Sequence, residues 1–571
     1  MLAALMLAAA WASLLPHLFS PLWIAVPIAA FAGMVLYHYR VRHERDRAER
    51  AAAFYRRGIA RLQDCWAGGG AGGERFSDAR HVYAADLDLF GRGSLFELLC
   101  TARTRMGEEC LAGWLLAPAP PESIRARQAA VAELRERLDL REQLAVAGEG
   151  AGPGVYPAAL ASWAQMPNSL QQRWLGWAAW LLPALALAAL IAWAAGGIVA
   201  PLIVILLAEG AVLYRLKARV EQVLHGVEDA FDGLALFSAL LGRLERERFD
   251  GALLQALMQR LSSRTLPAAR AIERLRSIAN YAGSRHNQLG QLLGTPLMYG
   301  AHVARAAERW RRLHGGAVRG WVDAVGELEA LLCLATYSYE HPDDPFPELA
   351  GGAPDFEGTA VAHPLIPAGR RVCNDVAFGG GTRVLLISGS NMSGKSTLLR
   401  TVGINTVLAM AGAPVCARAL RLTPLQLGAS IRVNDSLQEG SSRFYAEISR
   451  IRQLFDAAGT GQGDGAGPGD GPGRSLLFLL DELLQGTNSA DRRVGAEGIV
   501  RAFVERGAIG LVSTHDLALT DLRGLPPGCL RNLHFEDEMT DGRMSFDYRL
   551  REGVVTRSNA VALMRAVGLE V

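Results

Sequence analysis

The stretch Gly389-Ser390-Asn391-Met392-Ser393-Gly394-Lys395-Ser396-Thr397 decides the fold of this chain. It follows the apolar run 384–387, which predicts a buried strand, and it precedes the amphipathic segment 398–410, which predicts a helix. A strand, a glycine-bounded loop carrying Lys-Ser and a helix form the structural context of a phosphate-binding loop. The competing interpretation is an ordinary glycine turn before a helix, and the flanking strand and helix favour the phosphate-binding loop.

Each part of this stretch has a role in binding a nucleotide. The glycines let the backbone curl so that successive N–H groups point at phosphate oxygens, and the helix N-terminus adds the positive end of its dipole. The ammonium of Lys395 would lie at the β- and γ-phosphates, and the hydroxyl of Ser396 can ligate Mg²⁺. We therefore predict that residues 389–397 bind the nucleotide, with ATP and Mg²⁺ as the cofactors.

An acidic pair follows a second predicted strand. The run 475–480 is continuously apolar, as a central parallel strand is, and Asp481-Glu482 comes directly after it. Asp481 would complete the Mg²⁺ site from the end of the strand, and Glu482 would act as the general base that polarises the attacking water. Together with Lys395, this pair predicts an α/β P-loop NTPase domain that hydrolyses ATP to ADP and phosphate.

Length and composition limit the remaining possibilities. With 571 residues the chain is long enough for two or three domains, each with its own core. The net charge of +2 gives no global basic field, so any nucleic-acid binding must come from local patches. The seven cysteines are scattered and include no Cys-x-x-Cys pair, which argues against a zinc site or a disulfide framework.

The N-terminus is predicted to form a membrane hairpin. No Lys, Arg, Asp or Glu precedes Arg40, and the apolar pieces 2–15 and 22–37 are separated by a short turn. The four arginines within 40–47 place that end in the cytoplasm by the positive-inside rule. A secretory signal peptide would begin with a positive region, which this sequence lacks. A helix pair buried in a soluble core remains the alternative.

A second apolar block, residues 174–208, contains no charge. It predicts another hairpin, with arms at roughly 174–194 and 198–214, whose basic flanks return both ends to the cytoplasmic side. A buried helix pair is again the alternative. Glu209, near the end of the second arm, is either a functional charge within the membrane or a residue at the headgroup level.

The phosphate loop and the run Asp-Glu-x-x-x-Gly-Thr-x-x-x-Asp at 481–491 closely resemble the MutS family. In that family the histidine at the end of the next strand, here His515, senses the γ-phosphate. The segment corresponding to 440–447 reaches across a dimer to the partner's nucleotide, and Ser442 lies at the matching serine. The resemblance therefore implies a homodimer in which Ser442 of one chain completes, in trans, the catalytic set Lys395, Glu482 and His515 of the other.

The family resemblance also implies an all-α lever domain before the ATPase domain, because Thr-x-Met-Gly at 104–107 and later motifs match the start of that lever. Membrane segments occupy the N-terminus where MutS proteins carry a mismatch-reading domain, so mismatch sensing does not follow from the resemblance. The predicted domains are 1–48, an N-terminal transmembrane hairpin; 49–78, an Arg-rich helix and Gly linker; 79–150, the first part of the lever; 151–219, a second transmembrane hairpin; 220–342, lever helices; and 343–571, a MutS-type ATPase domain.

The predicted function is ATP binding and hydrolysis by a membrane-anchored MutS-family protein that binds DNA, as in mismatch repair, and switches as a dimer. The predicted location is the cytoplasmic (inner) membrane, with multiple spans and with the lever and ATPase domains in the cytoplasm. One alternative is a membrane-bound mechanochemical ATPase that acts on a protein or lipid partner without DNA. An ABC-type transporter ATPase is a further alternative, but no Leu-Ser-Gly-Gly-Gln stretch precedes Asp481.

Overall fold

The computed structural model describes most of the chain between residues 25 and 555. The described residues are 25–148, 157–170, 173–229, 231–262, 266–284, 297–390, 392–432, 443–459, 474–485, 488–522, 524–540 and 543–555. The predicted membrane segment 2–15 and the two predicted nucleotide ligands Asn391 and Ser442 lie outside these ranges. The stretch 459–473 is rich in glycine, which predicts a surface loop. It also lies outside the described ranges, apart from its first residue.

Helices dominate the described residues up to 340, apart from the segment 63–94, which consists of turns and one short 3-10 helix at Glu74–Phe76. The helices are α1 (Ala25–Leu62), α2 (Leu95–Leu99), α3 (Arg105–Leu116), α4 (Pro121–Arg135), α5 (Leu138–Gly148), α6 (Pro157–Gln165), α7 (Arg173–Gly196), α8 (Ala200–Asp229), α9 (Phe231–Leu244), α10 (Ala252–Leu261), α11 (Ala268–Ser284) and α12 (Tyr299–Glu340). Helix α12 has 42 residues and is therefore about 63 Å long. Helices α3, α4, α6 and α11 pack along it, as the predicted helical lever requires.

Within the described ranges, one helix is long and apolar enough to cross a membrane, namely Trp174–Gly196 of α7. Within these ranges the structure therefore has one candidate span and not the two predicted hairpins, while the predicted segment 2–15 lies outside them. Helix α8 begins with the predicted second arm but continues through charged residues to Asp229. Helix α1 likewise runs without a break from apolar Ala25 through the Arg-rich segment to Leu62.

The surface of the α7–α8 pair is unusually apolar. Trp177 is 80% exposed, and Ile191, Val204 and Leu207 are each more than half exposed. Isolated apolar residues are common on protein surfaces, but a contiguous patch of this kind marks an interaction site for a membrane or a partner. The alternative that this pair is buried in a soluble core is therefore wrong for the described residues.

The base of α7 is joined to the start of α12. Pro183 lies inside α7 and has no N–H, so the carbonyl of Ala179, four residues earlier, lacks its helical donor. The Nε2 of His302 on α12 donates to that carbonyl at 2.8 Å, and the rings of His302 and Trp180 lie 4.7 Å apart. Because the carbonyl released by the proline is bonded by α12, the two helices are fixed to one another at this point.

The C-terminal part contains two sheets. Their strands are β1 (Glu348–Leu349), β2 (Asp355–Val361), β3 (Asn374–Gly379), β4 (Val384–Ser388), β5 (Ala419–Leu422), β6 (Leu425–Ser430), β7 (Ser475–Leu480), β8 (Ile509–Thr514), β9 (Leu530–Thr540) and β10 (Arg543–Glu552). Helices α13 (Lys395–Ala411), α14 (Arg443–Gly459) and α15 (Ser489–Glu505) connect them. The smaller sheet has the order β1-β5-β2-β3, and the larger has the order β10-β9-β4-β8-β7-β6.

The larger sheet explains why distant motifs meet. Strands β4 and β7 are both parallel to β8, in a register that pairs Ile387 with Ser513 and Leu480 with Val512. Their carboxyl ends therefore lie at one edge, which is where open α/β sheets bind their ligands. The loop after β4, the acidic pair after β7 and His515 after β8 all leave the sheet at this edge. The predicted α/β P-loop domain is confirmed, with β10 added antiparallel to β9.

The helical part is attached to the ATPase part through an aspartate. Asp86 is only 2% exposed, and its Oδ1 accepts the backbone N–H groups of Ile431 and Arg432 at 2.7 and 2.8 Å. Its Oδ2 accepts from Arg450 of α14 at 2.8 Å. A buried carboxylate with three donors is well satisfied, so this contact fixes the end of β6 and α14 against the segment before α2.

Candidate functional site

The phosphate-binding loop connects β4 to α13 and holds its lysine inside. Lys395 is 4% exposed, and its Nζ donates to the carbonyls of Gly389 and Ser390 at 2.9 and 2.7 Å. Burial lowers the pKa of Lys395, and the nearby carboxylates of Glu482 and Asp481 oppose that effect. The loop thus places a cation at the bottom of the site, where carbonyl groups of the loop accept its hydrogen bonds.

The loop also requires a glycine at its end. Gly394 has a φ of +105°, a conformation that side chains with a Cβ rarely adopt, and an added Cβ would lie 3.1 Å from the ring of Tyr548. The hydroxyl oxygens of Ser390 and Ser393 are buried without a hydrogen-bond partner among the described residues. Buried polar atoms are usually satisfied, so these two serines fit a loop that is completed by phosphate oxygens.

The acidic pair lies opposite this loop. Asp481 accepts hydrogen bonds from Ser396 and Ser513, and these oppose the effect of burial, which raises the pKa of Asp481. The structure therefore brings together the two residues predicted to ligate Mg²⁺. Both supply oxygen donors, which Mg²⁺ prefers, and Mg²⁺ in such sites takes its other ligands from water and substrate phosphates. No cluster of three or more His, Cys, Asp or Glu side chains that could hold a metal occurs within the described part of the chain.

Ser513 was not predicted from the sequence, although it organises the acidic pair. Its hydroxyl donates to Asp481 and accepts the backbone N–H of Glu482 at 3.0 Å. The only sequence signal for it is a polar residue inside the apolar strand β8, one position before Thr514 and two before His515. Such an interruption in a buried strand indicates a side chain with a specific partner.

Glu482 and His515 are neighbours, and Gln485 lies between them. The Nδ1 of His515 is 3.6 Å from a carboxylate oxygen of Glu482, and Gln485 contacts both side chains. The backbone is strained here, because Glu482 and Leu484 have φ values of 51° and 58° without being glycine. Strain of this kind persists only where the surroundings enforce it, and it is concentrated at functional sites.

These residues surround a cavity of about 580 Å³. Its phosphate end is lined by Lys395, Ser396, Asp481 and Glu482. The volume lies within the range of about 300–1,000 Å³ that small-molecule sites occupy. Among the predicted site residues, Met392, Gly394 and Thr397 also line the cavity. His515 does not line it but lies next to Glu482, which does.

The rest of the cavity wall contains residues that were not predicted as ligands. They are Val361, His363, Ile366, Arg370, Arg371, Val372, Asn374, Phe535 and Tyr548. Asn374 connects this part of the wall to the hairpin of β9 and β10, because its Nδ2 donates to the carbonyl of Tyr548 at 3.0 Å and its Oδ1 accepts from the N–H of Leu550 at 2.7 Å. Burial lowers the pKa of His363 to about 4, so this side is lined by a neutral imidazole at pH 7.

The part of the chain that carries this site is similar to known proteins. A family model described as MutS domain V matches residues 385–570. Endonuclease MutS2 of Thermus thermophilus is 34% identical over 222 residues, which are 38% of this chain and 26% of that protein. DNA mismatch repair protein MSH6 of Arabidopsis thaliana is 30% identical over 283 residues, which are 46% and 20% of the two chains.

DNA mismatch repair protein MutS 2 of Halobacterium salinarum is 30% identical over 272 residues, covering 47% of this chain and 28% of that protein. The chain thus spans about a quarter of the length of the curated relatives it matches. The range that matches the family model, 385–570, includes the phosphate-binding loop and the acidic pair.

Proposed function

We propose that this chain, whose residues 385–570 match MutS domain V, is a MutS-family protein that binds and hydrolyses ATP, with Mg²⁺, in the cavity beside the phosphate-binding loop. The observation that carries the proposal is the convergence of Lys395, Ser396, Asp481 and Glu482 on the wall of one cavity. These residues follow two strands that are both parallel to β8, and an ammonium, a hydroxyl and two carboxyl groups at such a sheet edge are the groups that phosphoryl transfer with Mg²⁺ requires.

Each residue has a defined role in this proposal. The ammonium of Lys395 is held by neutral carbonyls, and a phosphate would be a stronger partner because it adds the direct attraction between opposite charges. Ser396 and Asp481 would hold Mg²⁺, which neutralises charge on the β- and γ-phosphates when bound. Glu482 accepts a proton from the attacking water, and His515 lies beside it as the proposed γ-phosphate contact.

We also propose a homodimer in which Ser442 of one chain reaches the nucleotide of the other. Hydrolysis would then switch the dimer between closed and open forms and move the helical lever. The relatives are named as mismatch repair proteins and an endonuclease, which supports DNA as the proposed ligand of the dimer. Detection of mismatches is not part of the proposal.

We further propose that the protein is anchored in the cytoplasmic membrane through the α7–α8 pair, with the lever and ATPase parts in the cytoplasm. The exposed tryptophans and aliphatic side chains of this pair support a lipid environment. Arg215, Lys217 and Arg219 follow the apolar part of α8 and would lie at the cytoplasmic face.

A second candidate is a membrane-bound mechanochemical ATPase that acts on a protein or lipid partner without DNA. The contact between His302 of α12 and Ala179 of α7 favours it, because α12 ends at the entry to the ATPase part and would carry movement to the apolar pair. Mobility-shift assays with duplex, mismatched and branched DNA at stated salt distinguish the two candidates. Salt-sensitive binding supports the DNA function, and its absence supports the alternative.

The catalytic proposal is tested with Glu482→Gln in detergent-solubilised protein. This variant should retain ATP affinity and lose roughly a hundredfold or more in turnover, as expected when a general base is removed. Glu136→Gln is the matched control, because Glu136 is exposed on the surface of the helical part. Turnover of Glu482→Gln near that of the control would remove Glu482 from this role, and absence of ATP binding by the wild type would refute the function as a whole.

A further inference from the structure

Gln485 is placed between the two side chains that act at the γ-phosphate end of the site. Its Nε2 donates a hydrogen bond to Oε2 of Glu482 and lies 3.4 Å from Nδ1 of His515. The turn that carries it is fixed by α15, because Arg492 donates to the carbonyls of Leu484 and Gln485 at 3.1 and 3.2 Å. The N–H of Leu484 donates to Glu447 of α14 at 2.6 Å. Gln485 is therefore held in place independently of its side-chain contacts.

The donors and acceptors at this point allow one arrangement. A carboxylate only accepts, so the amide of Gln485 must present its NH₂ group, not its oxygen, to Glu482. An amide NH₂ donates two hydrogen bonds and accepts none. Its second N–H is therefore the one that faces His515, and the Nδ1 of that ring must carry a lone pair. In this arrangement the N–H of the ring is consequently on Nε2.

We propose that Gln485 is a positioning residue that holds His515 in its Nε2–H tautomer, so that the free edge of the ring presents a donor. This inference rests on the proposed ATPase function for its purpose. Phosphate oxygens only accept hydrogen bonds, so a histidine that contacts the γ-phosphate must offer an N–H on the side facing the nucleotide. Gln485 supplies that condition by occupying the other nitrogen.

The same contact keeps Glu482 available. The Nδ1 of His515 and Oε1 of Glu482 are 3.6 Å apart, which is too long for a hydrogen bond. If Nδ1 carried a proton, the ring could turn toward that oxygen and occupy it. By donating to Nδ1, Gln485 prevents this pairing, and by donating to Oε2 it leaves Oε1 of Glu482 as the oxygen that can accept a proton from water.

The test is ¹⁵N NMR of histidine-labelled protein in detergent, with the resonances of His515 assigned by their loss in His515→Gln. The wild type should show a protonated Nε2 and an unprotonated Nδ1. Gln485→Met keeps the length of the side chain and removes its donors, so the Nδ1–H tautomer should become populated. Gln63→Met is the control, because Gln63 is an exposed residue of the helical part. Gln485→Glu provides a second variant that cannot donate if the methionine variant folds poorly.

Turnover gives the second readout. Gln485→Met should lower kcat roughly tenfold, the effect of losing one positioned hydrogen bond, with KM for ATP unchanged within about twofold. An Nδ1–H tautomer in the wild type, or an unchanged tautomer in both Gln485 variants, overturns the inference. If the wild type shows no ATP hydrolysis, the proposed function fails, whereas the tautomer measured without nucleotide still decides the role of Gln485.

Discussion

Replacing Asp86 by alanine should loosen the contact between the helical and ATPase parts. The carboxylate is buried and accepts three hydrogen bonds, two from the backbone of Ile431 and Arg432 and one from Arg450. Removal of one partner of a buried ion pair costs about 3–5 kcal/mol, because the other charge is left uncompensated. Arg450 would still donate to the carbonyls of Ala429, Arg80 and His81. We therefore expect a loss near the lower limit, about 3 kcal/mol.

Two further variants separate the contributions to this loss. Asp86→Asn can still accept both backbone N–H groups on Oδ1 but would present an NH₂ group to Arg450, so it should lose only the charged bond, about 1.5–3 kcal/mol. Asp88→Ala is the matched control in the same segment. Asp88 pairs with Arg400 and Arg432 at the surface, where ion pairs contribute about 0–1 kcal/mol.

Hydrogen exchange measures this effect locally, which suits a chain of several domains in which a single unfolding transition is not expected. The amides of Ile431 and Arg432 should exchange on the order of a hundredfold faster in Asp86→Ala, since each 1.4 kcal/mol corresponds to a factor of ten. They should remain protected in Asp88→Ala and keep part of their protection in Asp86→Asn. Equal protection of these two amides in Asp86→Ala and Asp88→Ala would refute the role of Asp86 in connecting the helical and ATPase parts.

Three other outcomes are expected. Gly394→Ala should abolish most ATP binding, because its φ is strained for alanine and its Cβ would meet the ring of Tyr548; nucleotide affinity that matches the wild type would contradict this. The buried, neutral His363 should make the free energy of opening its region fall by about 3 kcal/mol as the pH falls from about 6.5 to about 4, since the open state binds the proton first in that window; hydrogen exchange of the neighbouring Ala362 amide, which donates to the carbonyl of Cys416, should show this fall in the wild type and not in His363→Gln. Deletion of residues 1–48 should leave the protein in the membrane fraction after sedimentation, and its release would show that the α7–α8 pair is not embedded.

The elements around the nucleotide could be predicted closely because their sequence signals are local. The run 475–480 coincides with β7, and the predicted strand 384–387 is β4 with one more residue. The predicted helix at 398–410 begins earlier, at Lys395, because Gly394 is its N-cap and the lysine already lies in the first turn. Motifs with fixed spacing also located the acidic pair, since Asp481 and Glu482 directly follow a buried strand.

The part of the cavity wall that contains Tyr548 and Asn374 could not be predicted in the same way. Tyr548 lies at an irregularity in the pairing of β9 with β10, where the register shifts between Phe546 and Leu550. No local sequence pattern predicts such a bulge. The carbonyl of Tyr548 accepts a hydrogen bond from Asn374, which lies in a strand 174 residues earlier. The ends of the helices that carry the predicted membrane arms could not be predicted for a related reason. Hydropathy identified apolar runs, but Arg and Glu are good helix formers, so α1 and α8 continue into charged sequence and their ends are not set by polarity.

The long helix α12 gives these separate features a common mechanical context. At its start, His302 bonds the carbonyl that Pro183 leaves free in α7; at its end, Glu340 forms an ion pair with Arg61 of α1 at 2.7 Å. Helices α1 and α7, which both carry exposed apolar side chains, are therefore attached to α12, and α12 leads into the ATPase part. Sharp kinks occur at proline, at Gly/Ser pairs or at π-bulges. Helix α12 contains no proline and continues as an α-helix through Gly315 and Gly316. Any change at the sheet edge that shifts the end of α12 would consequently reach the base of the α7–α8 pair, which gives the proposed ATPase cycle a physical route to the membrane surface.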